Sequence, residues 1–388
     1  MKVVYMDNAA TTPVDPVVAE VITDYFIKQF GNASSIHSFG REARVAVENS
    51  RQVVAKAIGA EAEEIIFTSG GTEADNLALK GIAFSDKYEG KHIITSVIEH
   101  SAILKTSKFL EKIGYEVTYL PVDKEGLINI DDVQNAIRSD TVVISIMHAN
   151  NEIGTIEPLE EIGKLAKKHN IVFHTDAVQS IGKLHVDVNK LGVDLLSMSS
   201  HKIHGPKGVG ALYIRKDIPI EPLLHGGGHE YNLRSGTENV PGIVGFAKAA
   251  ELATNDLEAN AQHMTRLRDK LIEGVLDIEG AYLNGHRIKR LPNNTNFRFD
   301  YINGEALVLD LDMNGISAST GSACSEHSTE PSHVLLALGL SHNEAEGSLR
   351  LTVSTKNTED EVEYVLEVLP KSISKLRALH PNIVDQCI

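Results

Sequence analysis

The sequence predicts an α/β fold built on a mainly parallel sheet, with a second, smaller α+β unit after it. Three observations carry that expectation. Strand-like apolar runs alternate with helical stripes for about 200 residues, the signature of βαβ units with helices on both sheet faces. The chemistry-bearing residues collect where the strands end, which is where open parallel sheets hold ligands. After a long charge-laced helical pattern, the order of elements changes to a shorter mixed block.

Val14, Val17, Val18, Val21, Ile22, Tyr25 and Phe26 form an apolar helical stripe that runs out at Gly31. Residues 64–68 read as a strand, and Ser69-Gly70-Gly71-Thr72 turns into a helix ending near residue 82. Strands at 92–97, 115–122, 141–148 and 171–175 alternate with helices at 100–113, 130–137 and 159–169. Residues 193–198 are a further apolar run, read as a buried strand. The charge-laced pattern spans 243–276 as one long helix. Strand 296–299, helix 304–313, strand 316–319, helix 332–338, strand 348–354 and helix 358–376 complete the chain. The expected division is a large domain over 14–260 and a small one made of 1–13 and 261–388.

Composition narrows the function. At 388 residues and 42% hydrophobic the chain can bury a substantial core. No apolar run approaches the roughly 18 residues of a membrane span. Met1-Lys2-Val3-Val4-Tyr5-Met6-Asp7 turns polar too soon for a signal peptide, so a cytoplasmic location is expected. A net charge of −16 argues against a general nucleic-acid or membrane-surface binder. Two cysteines, Cys324 and Cys387, are too few for a disulfide framework and fit a reducing compartment. His225 and His229 have helical i, i+4 spacing, but the three glycines between them oppose a helix, and no metal site is expected.

Five groups stand at strand ends. Lys202 follows the 193–198 run, inside Ser199-Ser200-His201-Lys202-Ile203-His204-Gly205-Pro206-Lys207-Gly208. A lysine there can form a Schiff base with a carbonyl cofactor, or snorkel from a plain turn. Gly71 and Thr72 open a helix whose free N–H groups suit a phosphate, although a turn explains Gly-Gly equally well. Glu99-His100 joins a strand to a helix, and Asn150-Asn151 ends another strand. Asp176 and Gln179 follow the 171–175 strand, where Asp176 is either a helix cap or a carboxylate in need of a cation. Together these groups fit one ligand, pyridoxal 5′-phosphate: a carboxylate for the ring nitrogen (Asp176), a donor for the phenolate (Gln179), a flat ring to stack (His100), a phosphate loop, and a lysine for the carbonyl carbon.

On these motifs the chain resembles the class I cysteine desulfurases, the NifS/IscS type of the fold-type I aminotransferase superfamily. The resemblance runs from Tyr5-Met6-Asp7-Asn8-Ala9-Ala10-Thr11-Thr12 and Gly31-Asn32-Ala33-Ser34-Ser35-Ile36-His37 to Arg234-Ser235-Gly236-Thr237 and Ser319-Thr320-Gly321-Ser322-Ala323-Cys324. It implies a fold-type I architecture with a seven-stranded sheet in the large domain and the catalytic cysteine loop, about residues 319–332, in the small one. It also implies that Lys202, not Lys207, carries the cofactor. Thr72, Ser199 and His201 would hold the phosphate, and Thr237 would reach it from the other subunit of a homodimer. Asn151 and Gln179 would contact the ring substituent, His100 would stack on the ring, and Arg350 would pair with the substrate carboxylate, a task suited to its fork of donors. Two small departures, Gly71 before Thr72 and Ser200 before His201, remove no functional group.

The implied chemistry takes sulfur from L-cysteine, leaving alanine and a persulfide on Cys324. Lys202 would act as the general base. Bringing a lysine from about 10.4 to about 7–8 requires roughly 3–5 kcal/mol of differential interaction. Cys324 lies among small polar residues, a composition that predicts a mobile loop, and its thiol must be deprotonated by His100 or another imidazole. The expected acceptor is an iron–sulfur scaffold protein, and only with such a partner would Cys324 ligate a cluster. Selenocysteine lyase, tRNA-thiolation donor and non-enzymatic scaffolding subunit are the competing readings. Loss of Lys202, Asp176 or Cys324 would have favoured the last, and all three are present. Cys387, one residue from the end, is expected to be incidental.

Overall fold

The computed structural model describes residues 2–321 and 331–379, so Cys324 and Cys387 lie outside the described residues. Its central sheet has seven strands, in the spatial order Ile65–Thr68, Gly210–Ile214, Leu195–Ser199, Val172–Asp176, Thr141–Ser145, His92–Ser96 and Glu116–Leu120. Only Gly210–Ile214 runs against the others. The mainly parallel α/β sheet expected from the alternation is therefore present.

The strands are apolar on both faces because helices cover both. Phe173, Leu196 and Met198 join one core with Ile94 and Ile144, while Val172, Leu195, Ile93 and Val143 join another on the opposite face. That alternation is the period of two of a pleated strand. Each such side chain, fully buried, contributes roughly 1.5–3 kcal/mol.

Two helices depart from the sequence reading. The pattern over 243–276 is two helices, Val240–Asn255 and Leu257–Leu276, broken at Asp256, whose φ/ψ of −116°/32° leaves the helical region. A 19-residue helix, Ser38–Lys56, was not anticipated. Its buried face is small and polar as well as apolar, including Gly40, Ala43, Ser50 and Arg51, so hydrophobic periodicity understates it.

A separate core lies under the three-stranded antiparallel sheet of Ala281–Leu283, Asn294–Phe299 and Ser348–Thr352. Leu267, Leu271, Phe297, Leu349 and Leu369 form it together with Val4 and Met6 from the first residues of the chain. Val4–Tyr5 pairs in parallel with Ile316–Ser317. The N-terminal segment therefore belongs to this second core, and it then passes to the ends of the central strands.

Candidate active site

Those strand ends enclose a cavity of about 530 Å³. Gly71, Thr72, His100, Asn151, Asp176, Gln179, Ser199, His201, Lys202 and Arg350 all line it. Thr237 does not line the cavity of its own chain. Cys324 lies outside the described residues, but Gly321 is on the cavity wall, and Ser332 donates to the Glu152 carboxylate beside Asn151.

Each side chain is placed by the element it terminates. Strand Leu195–Ser199 breaks into a single 3-10 turn, Ser200–Lys202, which lifts Lys202 over the sheet edge. Lys202 Nζ donates to the carbonyls of Ala9 (2.5 Å) and Ala10 (2.8 Å). Gln179 Nε2 donates to the same Ala9 carbonyl at 3.0 Å, so the N-terminal segment ties the lysine to the amide. His201 Nδ1 lies 3.1 Å from the Thr11 hydroxyl, and burial together with Lys202, Lys207 and Lys183 pushes its pKa down to about 4, which keeps the ring neutral.

Across the cavity, Thr68 runs into the helix Gly71–Phe84 through Gly70, whose φ of 153° suits glycine alone. A methyl group at Gly71 would come within 2.8 Å of Val178 Cγ2, so the loop backbone sits directly on the Asp176 segment. His100 caps the helix Ser101–Lys112, accepting from Ala102 N at 3.2 Å through Nδ1. That bond fixes the plane of the ring at the cavity wall.

The two loop amides have different duties. Asn150 is wholly buried and structural: it donates to Ile98 O at 2.8 Å and accepts from Glu152 N and Ile153 N. Asn151 lines the cavity, and its backbone carbonyl accepts from Arg350 Nη1 at 2.9 Å. Arg350 Nη2 meets Asp7 Oδ1 at 2.8 Å, while Nε is buried and has no hydrogen-bond partner among the described residues. Each terminal nitrogen carries a second N–H, so Arg350 keeps donors for an incoming carboxylate.

The carboxyl groups mark the far wall. Asp176 Oδ1 accepts from Val178 N at 2.9 Å, and burial raises its pKa although His100 and Lys202 pull it down. Asp75, which sequence reasoning missed, lies beside it, and burial raises its pKa well above the usual range. Its Oδ1 has no hydrogen-bond partner among the described residues. His174 Nε2 is 3.8 Å away, but burial holds that imidazole down at about 3, so the contact is not an ion pair. The sequence did carry a signal: Asp75 interrupts an apolar helical face formed by Ala74, Leu77 and Ala78.

A second cavity of about 440 Å³ shares Lys202 from behind and is lined by Lys183, Asp15, His204 and Lys356. It has neither the carboxyl pair nor the glycine loop, and the chemistry belongs to the first cavity.

Residues 4–365 match the class-V aminotransferase family. The chain is 57% identical to the cysteine desulfurase IscS of Methanosarcina thermophila, over 98% of this chain and 94% of the relative. It is 55% identical to the IscS of Dictyoglomus turgidum, over 97% and 96%. A solved NifS-like protein superposes with a TM-score of 0.91 at 43% identity, covering 96% of this chain and all of the other. The chain belongs to the cysteine desulfurase branch of the class-V aminotransferases. Its cofactor is accordingly pyridoxal 5′-phosphate.

The cavity fits that cofactor. Asp75, His100 and Asp176 bring their ligating atoms within 4.8 Å of one another, a cluster that accepts either a divalent cation or a protonated ring nitrogen. The lysine and the glycine loop on the opposite walls match the second. Two adjacent buried carboxyls whose burial outweighs the pull of Lys202 and His100 suit an N–H⁺ from the ligand.

Proposed function

We propose that this enzyme is a desulfurase of L-cysteine that delivers the sulfur to Cys324. One observation carries the reading beyond family membership: Lys202, the Asp75–Asp176 pair and the Arg350 guanidinium, with a second N–H left on each terminal nitrogen, converge on a single cavity. When bound, pyridoxal phosphate supplies an electron sink for carbanion chemistry at the substrate α-carbon.

The chain's own residues supply the rest. Thr72, Ser199 and His201 are assigned to the phosphate, with the neutral His201 ring able to donate without adding charge. Asp176 holds the ring nitrogen, Asn151 and Gln179 orient the ring substituent, and His100 flanks the ring. Arg350 binds the substrate carboxylate through the donors it has to spare. Lys202 carries the cofactor and moves the substrate α-proton. Cys324 thiolate takes the substrate sulfur: an S–S bond forms, the Cβ–S bond breaks, and its electron pair ends as a C–H bond of alanine. Cysteine plus enzyme thiol becomes alanine plus enzyme persulfide, so the balance needs no outside oxidant.

We assign 14–260 to a large cofactor-binding domain and 1–13 with 261–388 to a small one, a division supported by Val4 and Met6 packing with Leu267 and Leu369. A homodimer is proposed, in which Thr237 serves the phosphate of the other subunit. That arrangement is supported by Thr237 not lining the cavity of its own chain. The proposed setting is a reducing cytoplasm, with an iron–sulfur scaffold protein as persulfide acceptor.

The test is mass spectrometry of pre-reduced holoenzyme after brief exposure to L-cysteine. One extra sulfur on the Cys324 peptide, with alanine released and both lost in Lys202→Ala, is the expected result. Cofactor on Lys202 with Cys324 left unmodified would overturn sulfur delivery and favour selenocysteine or another β-substituted amino acid as substrate.

A further inference from the structure

We infer that residues 230–234 clamp the Ser69–Thr72 loop, making Arg51, Glu230, Arg234 and Glu73 positioning residues for the cofactor phosphate. The inference rests on the reading that this loop holds the phosphate.

Strand Ile65–Thr68 is at the edge of the central sheet, paired only with Gly210–Ile214. Its other edge has no neighbouring strand among the described residues, and a buried ion pair takes that place. Arg51 Nη1 donates to Ile65 O at 2.5 Å, and Glu230 Oε2 accepts from Phe67 N at 2.7 Å. Arg51 and Glu230 are joined by two bonds of 2.8 Å each, in the bidentate geometry that makes such pairs strong. They are 2% and 7% exposed. The guanidinium lies 4.9 Å from the Phe67 ring and 5.1 Å from the Tyr231 ring.

Delivering Glu230 to this place strains the backbone. Glu230, Tyr231 and Asn232 have φ of 47°, 57° and 67°, three successive left-handed residues with none of them glycine. Such residues persist only where surrounding contacts over-determine them. Two residues later the segment grips the loop a second time. Arg234 donates from Nε to Glu73 Oε1 at 2.8 Å and from Nη2 to Oε2 at 3.3 Å, and Glu73 Oε2 accepts from Ser69 N at 2.8 Å.

The strained segment therefore holds the loop on both sides, at Phe67 before it and at Glu73 after it. Between these points lie two glycines, the residues that lose most freedom on being fixed. Internal restraint is slight: Thr68 Oγ1 donates to Gly70 O at 3.0 Å. Arg234 has a second duty. Glu73 places a carboxylate in the first helical turn, beside the proposed phosphate, and the guanidinium offsets that repulsion.

The experiment compares two ligands that differ only in the phosphate. Full-length enzyme, freed of cofactor with hydroxylamine, is titrated by absorbance with pyridoxal 5′-phosphate and with pyridoxal. Wild type should prefer the phosphorylated ligand. In Glu230→Gln and Arg234→Gln, the Kd for pyridoxal phosphate should rise by about tenfold or more while that for pyridoxal moves less than about twofold. Arg234→Gln alters a pair that is 22% and 16% exposed, so the test survives if Glu230→Gln fails to fold. Equal weakening of both ligands, or of neither, in a wild type that discriminates between them overturns the clamp alone. A wild type that binds both equally overturns the phosphate reading and the clamp with it.

Discussion

Two groups of buried charge lie at opposite ends of the glycine loop, and they are built on opposite rules. Arg51 and Glu230 are matched within the chain: burial works against the Arg51 cation, and Glu230 more than offsets it, leaving the guanidinium firmly protonated. Asp75 and Asp176 are buried out of proportion to their counter-charge: His100 and Lys202 pull Asp176 down without outweighing burial, and both carboxyls are raised. The first arrangement holds a fold together. The second is a cost that the chain alone does not recover, and it makes sense only when a ligand brings the missing cation. Matched buried charge reads as architecture, unmatched buried charge as a site.

Neutralising each group tests that contrast, and the outcomes should diverge. Asp176→Ala should cut alanine production by at least ~1000-fold, because the ring nitrogen loses its carboxylate, while the melting temperature does not fall. A parallel loss of stability would contradict the contrast. Glu230→Ala should do the reverse in stability, lowering it by about 3–5 kcal/mol in urea unfolding, since the buried Arg51 is left with only the more exposed Glu48 carboxylate, 3.2 Å from Nε, as counter-charge. A cost under about 1 kcal/mol would show that the edge strand does not need the pair. Arg350→Lys combines features of both, because Arg350 is matched by Asp7 and yet keeps free donors. Steady-state kinetics should show KM for cysteine raised by roughly 30–100-fold, with kcat changed much less, as a bidentate fork becomes a point charge.

Glu99 supplies the finest test. Burial pushes its carboxyl up to about 8, although Ser96 and Met147 N donate to it. The folded chain thus retains a proton that the unfolded chain releases near pH 4.5, so this group's contribution to stability falls as pH rises from about 4.5 to 8. Glu99→Gln should remove that slope. Measured against wild type, the variant should gain roughly 3–4 kcal/mol between pH 5 and pH 8. A difference independent of pH would mean that Glu99 is ionised in the folded state.

The fold was legible where hydrophobic period spoke clearly. Leu195-Leu196-Ser197-Met198 and Val172-Phe173 are apolar on both faces, which only a doubly covered parallel strand requires. Gly210–Ile214 escaped because it follows a Gly-Pro-Lys-Gly turn without a crossover helix and runs antiparallel, outside the βαβ rhythm. Helix Ser38–Lys56 escaped because its inward face carries Ser50, which bonds back to Ala46 O, and Arg51, whose reason is Glu230, 179 residues away. Lys202, His100 and Asp176 were legible because strand ends are privileged positions. Asp75 was not, because its meaning depends on Asp176 a hundred residues later. Neither could the sequence tell Asn150 from its neighbour: only the turn decides which amide caps the backbone and which meets the cavity.

The N-terminal segment has a consequence in time. Asp7 pairs with Arg350 across 343 positions of sequence, and Ala9 N donates to the Thr352 hydroxyl across another 343. At roughly 5–20 residues per second of synthesis, the first residues of a nascent chain wait on the order of half a minute for these partners to leave the ribosome. Through that interval the central sheet can form, and Gln179 and His201 can already hold the segment at Ala9 and Thr12, but Asp7 and the Ala9 amide still lack Arg350 and Thr352. A polysome halted short of residue 350 should therefore carry a folded sheet whose lysine anchor is tied down from one side alone.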